Sequence, residues 1–182
     1  MMRCTGLRNY LNKDRMDNRI GKVATAMIEK NAGDLRRIEH SLKVYGYARN
    51  LGLNEALTSE QQEILELTAL LHDIGIHRAE MMYGKCSSQD QENEGPPIAR
   101  IILNGLNFSK AIVDRVCFII SKHHTFNAVD GLDFQLLVEA DFLVNSSEDQ
   151  MTENQIAHFA KNIFRTESGL QYLRILYPNI GL

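Results

Sequence analysis

The chain has 182 residues, 44% apolar and 24% charged, and its 20 Lys and Arg against 23 Asp and Glu leave a formal charge of -3. That length favours one domain with a sizeable core, and the balanced charge with no basic run argues against a nucleic-acid-binding face. No segment approaches the run of about 20 apolar residues that a membrane span requires.

Residues 1–20 are polar and mixed in charge and are read as an N-terminal extension to a helical domain over 21–182. They lack the apolar stretch of a signal peptide, so a cytoplasmic protein is expected. Met16 is a candidate natural start that would leave the preceding residues as a disordered extension. A weak helix is predicted near Arg19 to Lys30. A stronger one spans Asp34 to Leu51, where Leu35, Ile38, Leu42 and Tyr45 recur at three- and four-residue spacing. Asp34 is its expected N-cap and Gly52 its stop.

The next helix opens at Thr58-Ser59, with Ser59 and Gln62 as a capping box, and carries an apolar face to His72 before Gly75 ends it. The polar residues 82–95 are read as the longest loop, and Pro96-Pro97 as the first turn of a helix that reaches Asn104-Gly105. Ser109 caps a helix that ends near Lys122. Phe134 to Val144 is nearly all apolar, interrupted by the carboxylates Glu139 and Asp141. Glu153 to Tyr177 forms one or two amphipathic helices, broken near Ser168-Gly169 and ended by Pro178. No period-two strand appears, so the expected fold is all-α. Cys4, Cys86 and Cys117 form no CxxC pair, so neither a zinc ribbon nor a disulfide framework is indicated; Cys117 reads as core.

Four ionisable residues fall on apolar faces. His40 shares a helical stripe with Val44, Tyr47 and Leu51; His72 with Leu65, Thr68 and Ala69; Asp141 with Phe134, Leu137 and Val138. Asp73 follows His72 directly. A lone inward His is more often a hydrogen-bonded core residue than a ligand, but an inward carboxylate must be paired. Two imidazoles and two carboxylates from three helices can converge on one divalent ion in a bundle core. Adjacent residues diverge by about 100° on a helix, so His72 and Asp73 reach one ion only at the helix end.

His40, then Leu71-His72-Asp73-Ile74-Gly75, then Ala140-Asp141 resembles the His…His-Asp…Asp signature of the HD-domain phosphohydrolase superfamily. The resemblance covers about Gly33 to Asn145. It implies an all-α helical bundle with the metal site in its core and His40, His72, Asp73 and Asp141 as ligands. It also implies an enzyme, a phosphomonoesterase or phosphodiesterase, acting on a small phosphorylated substrate, with a nucleotide or related metabolite expected. His123 and His124 are similar to the His-Thr stretch of HD-type dinucleoside tetraphosphate hydrolases, which carry a second metal. Where those hydrolases have His-Gly-Pro, this chain has Glu94-Gly95-Pro96, so Glu94, His123 and His124 are the candidate second-ion ligands. Ile76 stands where some relatives have Glu or Lys, and the Gly-Tyr-Pro segment of the HD-GYP branch is absent.

On this reading Asp73 orients or deprotonates the attacking water, and His124 binds a second ion or contacts the phosphate. Lys122, Arg78, Lys85 and Arg100 are the candidate phosphate-binding cations, against the ordinary reading of such residues as solvated surface. Imidazole with carboxylate suits Mn, Fe, Co, Ni or Zn, and Mg less well. One or two ions per chain are expected, with no nucleic-acid duplex or membrane as partner and a homodimer allowed. The competing readings are an HD-type diiron oxygenase and a non-catalytic regulator that binds a nucleotide or metal.

Overall fold

The computed structural model describes residues 5–181, with side chains from residue 18 onward. Residues 1–4, including Cys4, lie outside it. Of the expected extension, residues 5–17 are described in backbone alone, as the first turns of a helix that continues without interruption past residue 20. Described residues form helices and turns only: α1 (Thr5–Lys30), α2 (Leu35–Asn54), α3 (Ser59–Leu71), α4 (Ile76–Tyr83), α5 (Ser88–Gly105), α6 (Lys110–Ile120), α7 (Leu132–Glu148), α8 (Glu153–Ile163) and α9 (Glu167–Leu176), with a 3-10 turn at Phe126–Ala128. The fold is all-α, as the periodicity predicts. No helix among the described residues is long and apolar enough to cross a membrane.

Helices α2, α3 and α7 pack on one another and form the centre of the molecule, with α6 against α3 and α5 against α6. Leu51, Leu65, Leu67, Leu70, Leu71, Phe134 and Leu137 are fully buried between them. Each such side chain contributes roughly 1.5–3 kcal/mol on leaving water. The same apolar stripes carry His40, His72 and Asp141, so packing the core delivers these polar groups to one end of it.

Helix boundaries follow local chemistry. Asp34 caps α2 by accepting a hydrogen bond from Arg37 N at 3.1 Å. Gly52 does not stop α2, which continues to Asn54. It is instead the point where α3 crosses, because a Cβ there would lie 3.0 Å from Leu65 Cδ2 and overlap the Gln62 amide. The capping box of α3 sits one residue earlier than predicted, with Thr58 and Gln61 as its partners. Only the Gln at the third helical position can reach back to the cap.

The predicted loop over 82–95 is a second correction. The chain forms α4 and then enters α5 at Ser88, capped by Ser87 and Asp90, so Pro96 and Pro97 lie inside α5 rather than at its start. The first half of α5 carries Gln91, Glu92 and Glu94 where an apolar stripe would be, so hydrophobic periodicity gives no signal. The last break is also displaced. Phe164 to Thr166 separate α8 from α9, and Gly169 lies within α9. The buried Glu139 carboxylate decides this, by accepting hydrogen bonds from the backbone N–H of Arg165 and Thr166 and from the Thr166 hydroxyl.

Candidate metal centre

Three histidines reach the site with one nitrogen already committed. His72 occupies the C-cap of α3, and its Nδ1 lies 2.9 Å from the Ala69 carbonyl. His123, in the turn after α6, repeats this geometry with Nδ1 2.7 Å from the Ile120 carbonyl. His40 on α2 sets its Nδ1 3.0 Å from Glu148 Oε2, and Lys43 holds the other oxygen of Glu148 at 2.9 Å. A carbonyl or carboxylate acceptor requires Nδ1 to carry a proton, which leaves Nε2 of each neutral ring as a lone pair. Metal-binding histidines are oriented in this way.

The remaining nitrogens face the carboxylates and one another, with His40 Nε2 3.2 Å from His72 Nε2. His40 Nε2 lies 3.2 Å from Asp141 Oδ1 and 3.6 Å from Asp73 Oδ2. His72 Nε2 lies 3.5 Å from the same Asp141 oxygen and 3.6 Å from Asp73 Oδ2. His123 Nε2 is 3.6 Å from the other Asp73 oxygen. His72 is 1% exposed and His123 4%, so these atoms have no recourse to water. Despite the crowding, Asp141 Oδ1 and His123 Nε2 make no hydrogen bond with good geometry. Buried polar atoms are rarely left so. Two sets each present ligand atoms within 4.8 Å of one another: His40, His72 and Asp73, and Asp73, His123 and His124. Asp73 belongs to both. Orphaned atoms, committed Nδ1 positions and a mixed nitrogen and oxygen donor set all fit divalent ions.

Without an ion the groups titrate against one another. Burial pulls the His72 imidazole down, but Asp73 and Asp141 outweigh it and carry its pKa up to about 9. Burial likewise opposes the His40 shift, and the Asp141 carboxylate raises it nonetheless. Burial pushes the Asp73 carboxyl up, yet His72 and His123 hold it at about 2. Asp141 falls well below the ordinary carboxylate range, because the imidazoles of His40 and His72 overcome its burial. His124 goes the other way: burial, and then the neighbouring His123, lower it to about 4, so its ring is neutral at pH 7.

The turn carrying His72 and Asp73 is pinned by a close helix crossing. A Cβ on Gly75 would lie 2.5 Å from Gly95 N and 2.8 Å from the Glu94 carbonyl carbon, so only glycine admits α5 there. From α5, Glu92 accepts hydrogen bonds from His124 N and the Thr125 hydroxyl, and Gln91 Oε1 lies 2.8 Å from His124 Nε2. Glu94 and Asp141 are not in either ligand set, although Asp141 Oδ1 lies within 3.5 Å of His40 Nε2 and His72 Nε2. Glu94 is committed elsewhere. Its oxygens accept hydrogen bonds from Tyr83 at 2.8 Å and Arg78 at 2.6 Å.

A cavity of about 400 Å³ opens over His40 and Asp73. Arg78, Lys85, Arg100 and Lys122 do not line it; Arg78 is paired with Glu94 and Arg100 with Asp114 at 2.7 Å. The cations that do line it are Arg36 and Arg37, from the first turn of α2. Sequence reasoning missed these, and also Gln91, Asn145 and Glu148. One signal was available, since Asp141, Asn145 and Glu148 share a helical stripe at four- and three-residue steps. The HD domain family model matches residues 37–157. No curated protein and no solved structure matches the chain.

Proposed function

The chain belongs to the HD-domain family, and on that premise we propose that it is a metal-dependent phosphohydrolase acting on a small phosphate ester. The observation that carries the reading is the set of three imidazoles with Nδ1 committed and Nε2 turned toward Asp73 and Asp141. Within the cluster His123 Nε2 and Asp141 Oδ1 are buried without a well-formed hydrogen bond among the described residues, which leaves both able to take a ligand.

His40, His72, Asp73 and Asp141 would hold the first divalent ion, and His123 and His124 with the second oxygen of Asp73 would hold another. Such ions polarise a phosphoryl oxygen and acidify a water. Asp73 stands between both sets and orients the attacking water or takes its proton. His124, neutral at pH 7 and steadied by Gln91, binds the second ion or contacts the phosphate. Glu148 and the carbonyls of Ala69 and Ile120 keep the three rings in their orientation. The metal is one of Mn, Fe, Co, Ni, Zn or Mg, the donor set favouring the first five.

Elemental analysis of protein purified without chelator is expected to find a divalent metal. A panel of phosphate esters assayed with each metal is expected to release phosphate with at least one. Absence of bound metal, together with no Mn or Ni binding on titration, would overturn the reading.

A further inference from the structure

Small-molecule cavities are usually lined by apolar and aromatic side chains with a few polar groups among them. The cavity over His40 and Asp73 reverses this: apart from Ile76 and Cys86, its lining residues are polar or charged. A nucleobase needs an apolar or aromatic face against which to stack, and no Phe, Tyr or Trp among the described residues lines this cavity. What the lining offers instead is acceptors, the groups that receive hydroxyl protons.

Several of those acceptors remain available. Asn145 lies one turn beyond Asp141 on the same face of α7, half-buried, and its side-chain amide has no hydrogen-bond partner among the described residues. Asp34 and Glu80 face the cavity from α2's cap and from α4, and Arg37 bridges them at 3.0 Å and 2.6 Å. That bridge neutralises much of their charge and fixes their positions, while each carboxylate keeps lone pairs open. Glu148 and Gln91 are already committed to His40 and His124.

Arg36 and Arg37 are neighbours with different freedom. Arg37 is held by two carboxylates and lies 3.2 Å from His77. The Arg36 side chain is 78% exposed, and its contact with Asp149, 3.9 Å long, is too loose to restrain it. It can swing onto an anion above the metal site and grip it with two N–H groups.

We propose that the ester is a sugar or polyol phosphate rather than a nucleotide, with its hydroxyls received by Asn145, Glu80 and Asp34 and its phosphate gripped by Arg36. This rests on the phosphohydrolase reading and departs from the nucleotide expectation. Hydrolysis breaks the P–O bond to the polyol; water supplies the new oxygen on phosphorus, and a proton goes to the departing polyol oxygen.

The test is steady-state kinetics of the full chain, loaded in turn with Mn2+, Fe2+, Co2+, Ni2+, Zn2+ and Mg2+, on glucose 6-phosphate, glycerol 3-phosphate, AMP, dAMP and p-nitrophenyl phosphate. At least one of the first two is expected to show kcat/KM about tenfold or more above AMP and dAMP, whose base meets no apolar face in this polar cavity. Asn145→Ala is expected to raise KM for the hydroxylated ester by about tenfold, a larger factor than for p-nitrophenyl phosphate. Arg36→Ala is expected to raise KM for every ester, with thermal unfolding of both variants as in the parent. Preference for AMP or dAMP, or an Asn145→Ala effect equal across all esters, would overturn the proposal while leaving a phosphohydrolase standing. No hydrolysis of any ester with any metal would instead remove the phosphohydrolase reading and this one with it.

Discussion

Glu139 and Asp141 interrupt the same apolar helix two residues apart, and the structure gives them opposite fates. Glu139 is fully buried with both oxygens engaged, by Gln135, by two backbone N–H groups and by the Thr166 hydroxyl. It ties the α8–α9 junction to α7. Asp141 turns to the other face of α7, toward His40 and His72, and its Oδ1 ion-pairs with them while making no well-formed hydrogen bond among the described residues. The two carboxylates differ in exposure as well as in hydrogen bonding, Glu139 being 0% exposed and the Asp141 side chain 16%. The satisfied one ties segments together, whereas a buried polar atom without a well-formed hydrogen bond costs free energy that a ligand can recover.

The largest effect is expected at the residue shared by both ligand sets. Asp73→Ala should abolish metal-dependent hydrolysis, a loss beyond the roughly 10–100-fold that follows removal of an outer partner. Phosphate release by a metal-loaded Asp73→Ala variant at the parent rate would end the assignment. On the structural side, Glu139→Ala leaves four donors without their acceptor. Unfolding in urea should show a loss of about 2–4 kcal/mol, with metal content per folded chain unchanged. If Glu139→Ala instead emptied the metal site, the two carboxylates would not be separable in this way.

Glu148→Gln sharpens the comparison from the outside. It keeps the shape but weakens the acceptor for His40 Nδ1, so calorimetric titration should show metal affinity reduced by about 10–100-fold. The smallest effect is in pH. In chelator-treated protein the raised His72 pKa makes a contribution to folding that is complete below 6.5 and lost as pH rises through about 9. The lowered Asp73 pKa contributes fully above 3.8, and that part is lost as pH falls through about 2. Metal binding must expel the His72 proton, so affinity should climb as pH rises from 7 to 9. Thermal unfolding across pH 2–9 and metal titration across pH 7–9 check these trends. A metal-free protein that gained stability on passing from pH 6.5 to 9 would contradict the paired state of His72.

Much of the architecture was legible where apolar residues repeat. The stripes of α2, α3 and α7 announce helices and mark His40, His72 and Asp141 as intruders, because side-chain direction on a helix follows from spacing alone. The start of α5 was not legible for the converse reason. Ser87 and Asp90 cap it, and its inward residues are Gln91, Glu92 and Glu94, whose partners lie on other segments. Glu94 and Arg78 show a related limit. Each was a plausible site residue in the sequence, and the fold pairs them with each other at 2.6 Å.

The sequence by itself determined an all-α chain, the helices that carry the buried ionisable residues, and the kind of donor atoms those residues offer. These are local properties, set by helical period and side-chain chemistry. Only the tertiary structure decided which donors share a point in space, which nitrogen of each ring is free, and which cations face the cavity. Those depend on the crossing of α5 at Gly75 and Gly95, on the reach of Glu148 to His40, and on Arg36 and Arg37 at the start of α2. Such contacts join residues far apart in the chain, and no spacing within one helix encodes the distance between two.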